Sequence, residues 1–268
     1  MPTLITTMAL ILGRRPWSES SQIVTMMTPD QGRLNAVARG ARKLTSEMGP
    51  ALEPITESQV ILSQSPRSDM ANVRSAEIVE HFAALRHSLV RVTVASAACE
   101  FAARALPEGE ANPSAYDHVR TALAGIAATA DRDAVNWLWR GLMDLAGDLG
   151  YAMQFDRCVQ CGASDLPHPA FSVADGGPVC ERCSAATMRP WLPETQAALI
   201  RLAAASAGAV GADRITKRVN RDIRGLVEEY FRYHIPGFDH LRSLDVLTSL
   251  SAAGAASGPG PDESAGVE

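Results

Sequence analysis

Cys158-Val-Gln-Cys-Gly-Ala-Ser-Asp-Leu-Pro-His-Pro-Ala-Phe-Ser-Val-Ala-Asp-Gly-Gly-Pro-Val-Cys-Glu-Arg-Cys183 carries two Cys-x-x-Cys pairs, with eighteen residues between them, and holds four of the five cysteines of the chain. Two thiolates two residues apart turn onto one ion from a single knuckle, and a second knuckle closes a tetrahedron with no position left for water. Such a site is structural, not catalytic. Gly162 follows the first pair where a tight turn is wanted, and Asp175, Gly176, Gly177 and Pro178 supply a hairpin turn before the second. The spacing therefore predicts one structural zinc ion on Cys158, Cys161, Cys180 and Cys183.

Other readings of these cysteines fit less well. Disulfides suit small exported domains, and nothing at the amino terminus resembles an export signal. A thioredoxin-type redox motif needs one such pair beside a βαβ pattern, whereas here two pairs flank a turn-rich loop. Four thiolates leave no vacancy for His168, which reads as an ordinary loop histidine. Cys99, inside the apolar run Val94 to Phe101, reads as a small core residue.

Working outward, 268 residues give room for two modest domains, each with a core, and 46% hydrophobic with 21% charged residues is the balance of a soluble globular chain. The net charge of -5 excludes a protein that coats nucleic acid over its whole surface. No apolar run approaches the ~18 residues that span a bilayer. A cytoplasmic location follows, with no membrane contact, and reduced thiols there are free to bind metal.

From Met8 to about Ser75 the signals are those of short strands. Met8, Leu10 and Leu12 alternate, Ile23 to Met27 is a compact apolar run, and Pro29-Asp30-Gln31-Gly32 is a turn. Leu34, Ala36 and Ala38 point one way, with Arg33, Asn35, Val37 and Arg39 pointing the other. With Val60 to Leu62 and Met70 to Ser75 this makes five strands, for which an OB-fold barrel is the expected answer and an SH3-like barrel the alternative.

Helical spacing is read from Ala76 through Ile78, Phe82, Leu85, Leu89 and Val92 to Leu106. Asn112 and Pro113 cap a second helix, and a third runs from about Arg132 to Leu149 with Trp137 and Trp139 on different faces. Beyond the cysteines, helices are expected at about Glu194 to Ala205, Ile215 to His234 and Leu241 to Leu250, with a disordered tail from Ser251 to Glu268. The expected architecture is α+β and multidomain: a barrel domain over residues 1–78, then an α-helical domain over 79–250 with a four-cysteine zinc module inserted at about 155–186.

Between Gly13 and Lys43 stand six cations, Arg14, Arg15, Arg33, Arg39, Arg42 and Lys43, against Glu19 and Asp30. Arg39, Arg42 and Lys43 follow a strand, so they project together from one rim of a barrel, where such a module meets a phosphate backbone; a merely solvated basic loop is the alternative. Trp17 is the only stacking residue in this region, so strong sequence-neutral stacking is not what the sequence advertises. A second group, Arg214, Lys217, Arg218, Arg221 and Arg224, shares one side of a helix whose other side carries Ile215, Val219, Ile223, Leu226 and Tyr230. That stripe reads either as solvated surface or as a dock for DNA or an acidic protein tail.

Ala9-Leu-Ile-Leu-Gly-Arg-Arg-Pro-Trp-Ser-Glu-Ser-Ser-Gln-Ile-Val24, Gly32-Arg-Leu-Asn-Ala-Val-Ala-Arg-Gly-Ala-Arg-Lys43, Leu149-Gly-Tyr151 and the four cysteines around Ala170-Phe-Ser172 together resemble the RecO family of bacterial recombination mediators, from about Met8 to Leu250. The resemblance implies an amino-terminal OB domain, a helical domain and an inserted zinc module. It also implies a protein that is not an enzyme. Such a protein binds single- and double-stranded DNA, anneals complementary strands, engages the acidic tail of the single-stranded DNA-binding protein and, with RecR, helps RecA replace that protein during DNA repair and recombination. Arg39, Arg42 and Lys43 look like the family's DNA contacts. Some family members lack intact cysteine pairs, which makes zinc a stabiliser of this version. A nuclease or zinc hydrolase would need clustered acids or an open metal site, and neither pattern is present in the sequence. A zinc-ribbon scaffold that binds only proteins, as in transcription, is the other class to set against DNA binding.

Overall fold

In the computed structural model, which describes residues 2–65, 70–167, 169–185, 188–212, 214–247 and 249, the chain opens with β1 (Thr3–Pro16), β2 (Gln22–Thr28) and β3 (Gly32–Ala38). These continue into β4 (Thr56–Gln64) and β5 (Ala71–Glu80). They close in the order β1-β2-β3-β5-β4, with β1 paired to both β2 and β4 and β3 parallel to β5. That circuit is the five-stranded OB barrel. Its turn at Gly32 is held in the left-handed region at φ 65°, as the Pro-Asp-Gln-Gly stretch requires. Ala9, Ile11, Val24, Met26, Ala36, Val60 and Leu62 fill the barrel, and the single turn Pro50–Leu52 plugs it with Leu52.

The simple alternation read in β1 gives way to burial on both faces. Ala9 and Ile11 point into the barrel, while Leu10 and Leu12 belong to the helical core outside it. The barrel and the helices thus share a continuous apolar seam, which explains why Ala9 to Leu12 is apolar without interruption.

The helix expected from Ala76 is a correction. Residues 76–80 are the end of β5, with Val60 opposite Ala76 and Ser58 opposite Ile78. Phe82 then takes a left-handed conformation, φ 45°, and buries its ring among the helices. Only at Ser88, whose side chain accepts the Arg91 N–H, does α1 (Leu89–Ala105) begin. Ladder pairing over β5 therefore overrode the spacing of Ile78, Phe82, Leu85 and Leu89.

α2 (Pro113–Ala128) starts as read: Asn112 accepts the Ala115 N–H and proline fills the first turn. α3 (Ala134–Asp148) buries Trp139 and leaves Trp137 half-buried against Gly125 of α2. The inserted module has three short strands, β6 (Ala170–Ser172), β7 (Gly177–Val179) and β8 (Arg189–Pro190), before α4 (Pro193–Ala204) and α5 (Lys217–His234). Residues 242–247 are helical; Leu250, His168 and Ser251 to Glu268 lie outside the described residues. Phe101 of α1 meets Phe231 of α5 at 4.4 Å between ring centres, which ties α1 to α5. No helix among the described residues is long and apolar enough to cross a membrane.

Polar contacts fix the barrel against α2. Glu57 of β4 is only 4% exposed and accepts bonds from Arg120 at 3.0 Å and from the Tyr116 hydroxyl at 2.8 Å. Burial and the adjacent carboxylate push the Tyr116 phenol well above its ordinary range. Arg120 is half exposed and Tyr116 still donates to Glu57, so Arg120→Ala is expected to cost about 1–2 kcal/mol of stability. Chemical denaturation of the variant checks it; an unchanged midpoint would mean that water replaces the guanidinium.

Candidate nucleic-acid interface and metal centre

The chemistry of the barrel surface is set by the connections at one end. β1 and β2 are joined by a turn in which the Trp17 and Ser18 N–H groups both donate to the Ser21 carbonyl, at 3.0 and 3.2 Å. The β3–β4 connection crosses beside it. Arg42 fastens the two, its backbone N–H donating to Ser20 O at 3.1 Å and its Nη1 to Ser18 O at 2.6 Å. Gly40, at φ 73°, turns the chain out of β3 so that Arg42 and Lys43 face the end of β1.

The result is an open groove of about 590 Å3 lined by Arg14, Arg15, Arg42 and Lys43. Arg39 stands on the adjoining side, beside Trp17. Among the described residues, Arg15, Arg39, Arg42 and Lys43 have no carboxylate within ion-pair distance. Arg14 differs, since it pairs with Glu53 at 2.6 Å, but both groups are substantially exposed and such a pair exchanges readily with a competing anion.

Arg33 is a correction to the expected basic set. Its Nε donates to Leu106 O at 2.7 Å, its Nη2 lies 3.5 Å from Glu108, and its side chain is 18% exposed. The Gly109 N–H closes the contact on Arg33 O at 2.8 Å. Arg33 joins the barrel to the loop before α2 and does not line the groove. A cation that the sequence reading missed, Arg74, is exposed on β5 and lines a depression together with Arg39. Strict alternation from the buried Ala71 and Val73 would have placed it outward.

The four cysteine Sγ atoms all lie within 4.8 Å of one another, with Cys161 and Cys180 at 3.7 Å. A tetrahedron with metal–sulfur bonds of ~2.3 Å has sulfur–sulfur edges of about 3.8 Å, so the donors fit one metal ion. The turns do this locally. Gly162 sits at φ 75° and donates to Cys158 O at 2.8 Å, Cys183 donates to Cys180 O at 2.9 Å, and the Cys180 N–H points at Cys158 Sγ at 3.4 Å. Burial opposes ionisation of Cys158, yet the N–H groups of Cys180, Cys161 and Gln160 outweigh it and hold that thiol down to about 6. Hydrogen bonds to Cys180 and Cys161 push the Cys183 thiol up to about 12. The four cannot all ionise side by side unless a cation neutralises them. Cys99 is separate, buried, and desolvation pushes its thiol up to about 12.

One detail of the hairpin differs from expectation. The turn is Val173 to Gly176, braced by Ser172 on Asp175 at 2.7 Å, whereas Gly177 and Pro178 belong to β7, where Gly177 leaves room for Val159. The module is keyed to α5: Phe171 meets Tyr230 edge-on at 6.4 Å, His234 bonds Val173 O at 2.9 Å, and Arg189 pairs with Asp222 at 2.8 Å and Glu229 at 3.1 Å.

On α5 the expected stripe divides. Lys217, Arg218 and Arg221 are exposed, but Arg224 is held by Glu228 at 2.9 Å and Asp245 at 2.6 Å and clamps residues 241–247 onto the helix. It is a structural residue, which corrects its assignment to a partner surface. Arg218 joins Arg214 and Arg201, three cations against the single carboxylate of Glu194, around a depression of about 250 Å3 whose apolar lining includes Leu192, Ala198 and Val219; Lys217 and Arg221 lie outside it. Arg201, from α4, carried no signal in the α5 pattern.

An OB barrel with a basic lip, joined to helices that carry four thiolates able to hold a metal ion, is the arrangement of a nucleic-acid-binding class of protein. The family model for the Recombination protein O N terminal matches residues 1–82, and that for the Recombination protein O C terminal matches residues 86–245. The chain belongs to the RecO family of DNA repair proteins. It is similar to the DNA repair protein RecO of Heliobacterium modesticaldum, 30% identical over 251 residues covering 90% of this chain and 88% of the relative. It is also similar to those of Pelotomaculum thermopropionicum (30%, 93% and 96% covered) and Salinibacter ruber (28%, 94% and 96% covered).

Proposed function

We propose that this chain is a non-enzymatic mediator of DNA repair and recombination. It binds single- and double-stranded DNA through Arg15, Arg39, Arg42 and Lys43, with Arg14 in support, and anneals complementary strands. With RecR, it helps RecA displace the single-stranded DNA-binding protein. The observation that carries this reading is the meeting, across two connections of the barrel, of four cations that have no carboxylate partner among the described residues. Bringing two polyanions together costs repulsion, which a basic lip offsets by neutralising phosphates and releasing counterions. Contacts of this kind position the strands without reading their sequence.

The four-thiolate centre takes Zn2+, whose closed coordination stabilises the module and leaves no open position for catalysis. The acidic tail of the single-stranded DNA-binding protein docks at Arg201, Arg214 and Arg218, its apolar end against Leu192 and Val219. The protein works in the cytoplasm, at the nucleoid. Strand annealing on bare and on protein-coated DNA, with a check for nicked product, tests the function. Accelerated annealing without nicks is expected, and no acceleration on either substrate would favour a protein-binding scaffold. Titration with an acidic tail peptide tests the second site. Arg218→Glu is expected to weaken it at least tenfold, and an unchanged affinity would move the dock elsewhere.

A further inference from the structure

Trp17 is the outlier among the four tryptophans. Trp139 and Trp191 are buried and Trp137 is half-buried against the core, but Trp17 is 57% exposed at the tip of the β1–β2 turn. A ring of that size left in water forgoes the burial that normally retains it. The turn beneath it is nonetheless rigidly mounted, by its own bonds to Ser21, by the Ser18 side chain accepting the Ser21 N–H at 3.2 Å, and by both ends of Arg42.

The ring borders a depression of about 370 Å3 shared with Arg39, Ser18, Ser21 and Asn72, and no carboxylate among the described residues lines it; Glu19, on the same turn, stays outside. Arg42 links this depression to the basic groove, since it grips Ser18 while lining the groove with Arg15 and Lys43. A strand whose phosphates follow those cations therefore arrives at an exposed aromatic face beside one more cation and three uncharged polar side chains.

We infer that Trp17 stacks on an unpaired nucleobase of a single strand, with Arg39 on the neighbouring phosphate, so that this face of the barrel distinguishes single strands from duplex. Bases in a duplex are already stacked on each other and offer the ring no free face, whereas each base of a single strand does. Ser18, Ser21 and Asn72 meet the base edge or sugar. The inference rests on the DNA-binding reading above and adds to it a source of strand preference.

Affinities of the full chain for a single-stranded oligonucleotide, an abasic one of equal length and a duplex of equal length test it, with wild type, Trp17→Ala and Trp17→Phe. Trp17→Ala is expected to lose about tenfold on the single strand and under twofold on the abasic strand and the duplex, at an unchanged salt slope, while Trp17→Phe keeps most of the affinity. Equal losses on all three ligands, or none on the single strand, would overturn the inference and leave phosphate binding intact. Failure of the wild-type chain to bind any of the three would overturn the underlying DNA reading as well.

Discussion

Removing the metal from the four-cysteine centre, or replacing Cys158 and Cys180 together by alanine, will unfold the module while the barrel stays folded. The module's own apolar core is small, centred on Cys158, Val179 and Cys180, so coordination of an ion by the four thiolates is expected to supply most of what orders it. In small modules of this kind a bound zinc ion contributes on the order of 10 kcal/mol to folding. Hydrogen exchange is expected to accelerate strongly at the Gly162, Gly176 and Cys183 amides, whose partners lie within the module. Smaller increases should reach α5 near Tyr230 and His234, which the module covers. DNA affinity should change less than twofold. Unchanged exchange at these amides after verified metal loss would show that packing alone holds the knuckles.

Changing Arg39, Arg42 and Lys43 together to alanine will slow strand annealing and weaken DNA binding by about 100-fold at low salt, if each charge-assisted phosphate contact contributes about 1 kcal/mol. The salt slope should fall by about 2, at ~0.7 per phosphate neutralised on a single strand. Arg33→Ala makes the contrasting control. It breaks contacts to Leu106 and Glu108, so thermal stability should fall while the slope stays unchanged. If Arg33→Ala changed the slope as the triple variant does, the basic lip would not be the DNA site.

Local patterns were legible in the sequence and tertiary ones were not. The cysteine centre could be read because each knuckle supplies two ligands from four residues. β2 and β3 could be read because the apolar run from Ile23 to Met27, the alternation after Gly32 and the turn between them are all local. Asn112 and Pro113 announced α2 for the same reason. The end of β5 misled because Ile78, Phe82, Leu85 and Leu89 fall at helical spacing by coincidence; the ladder with β4 decides, and β4 is distant in sequence. Arg33 and Arg39 look alike in a list of charges, both pointing outward from one strand. Only the loop around Leu106 to Gly109 separates them, by claiming Arg33. Arg224 has Glu228 one helical turn on, a readable signal, but its second partner Asp245 comes from the chain's return past α5. Arg201 reaches the depression beside Arg214 and Arg218 from α4, where no single-helix pattern reveals it.

The most direct test of the lip is a salt titration of the affinity of the unmodified chain for single strands of two unrelated base sequences. With Arg15, Arg39, Arg42 and Lys43 on phosphates, the log–log slope should be about -3 and the same for both sequences. A slope near zero, or affinities that differ widely between the two sequences at every salt concentration, would contradict phosphate-led binding at the end of the barrel.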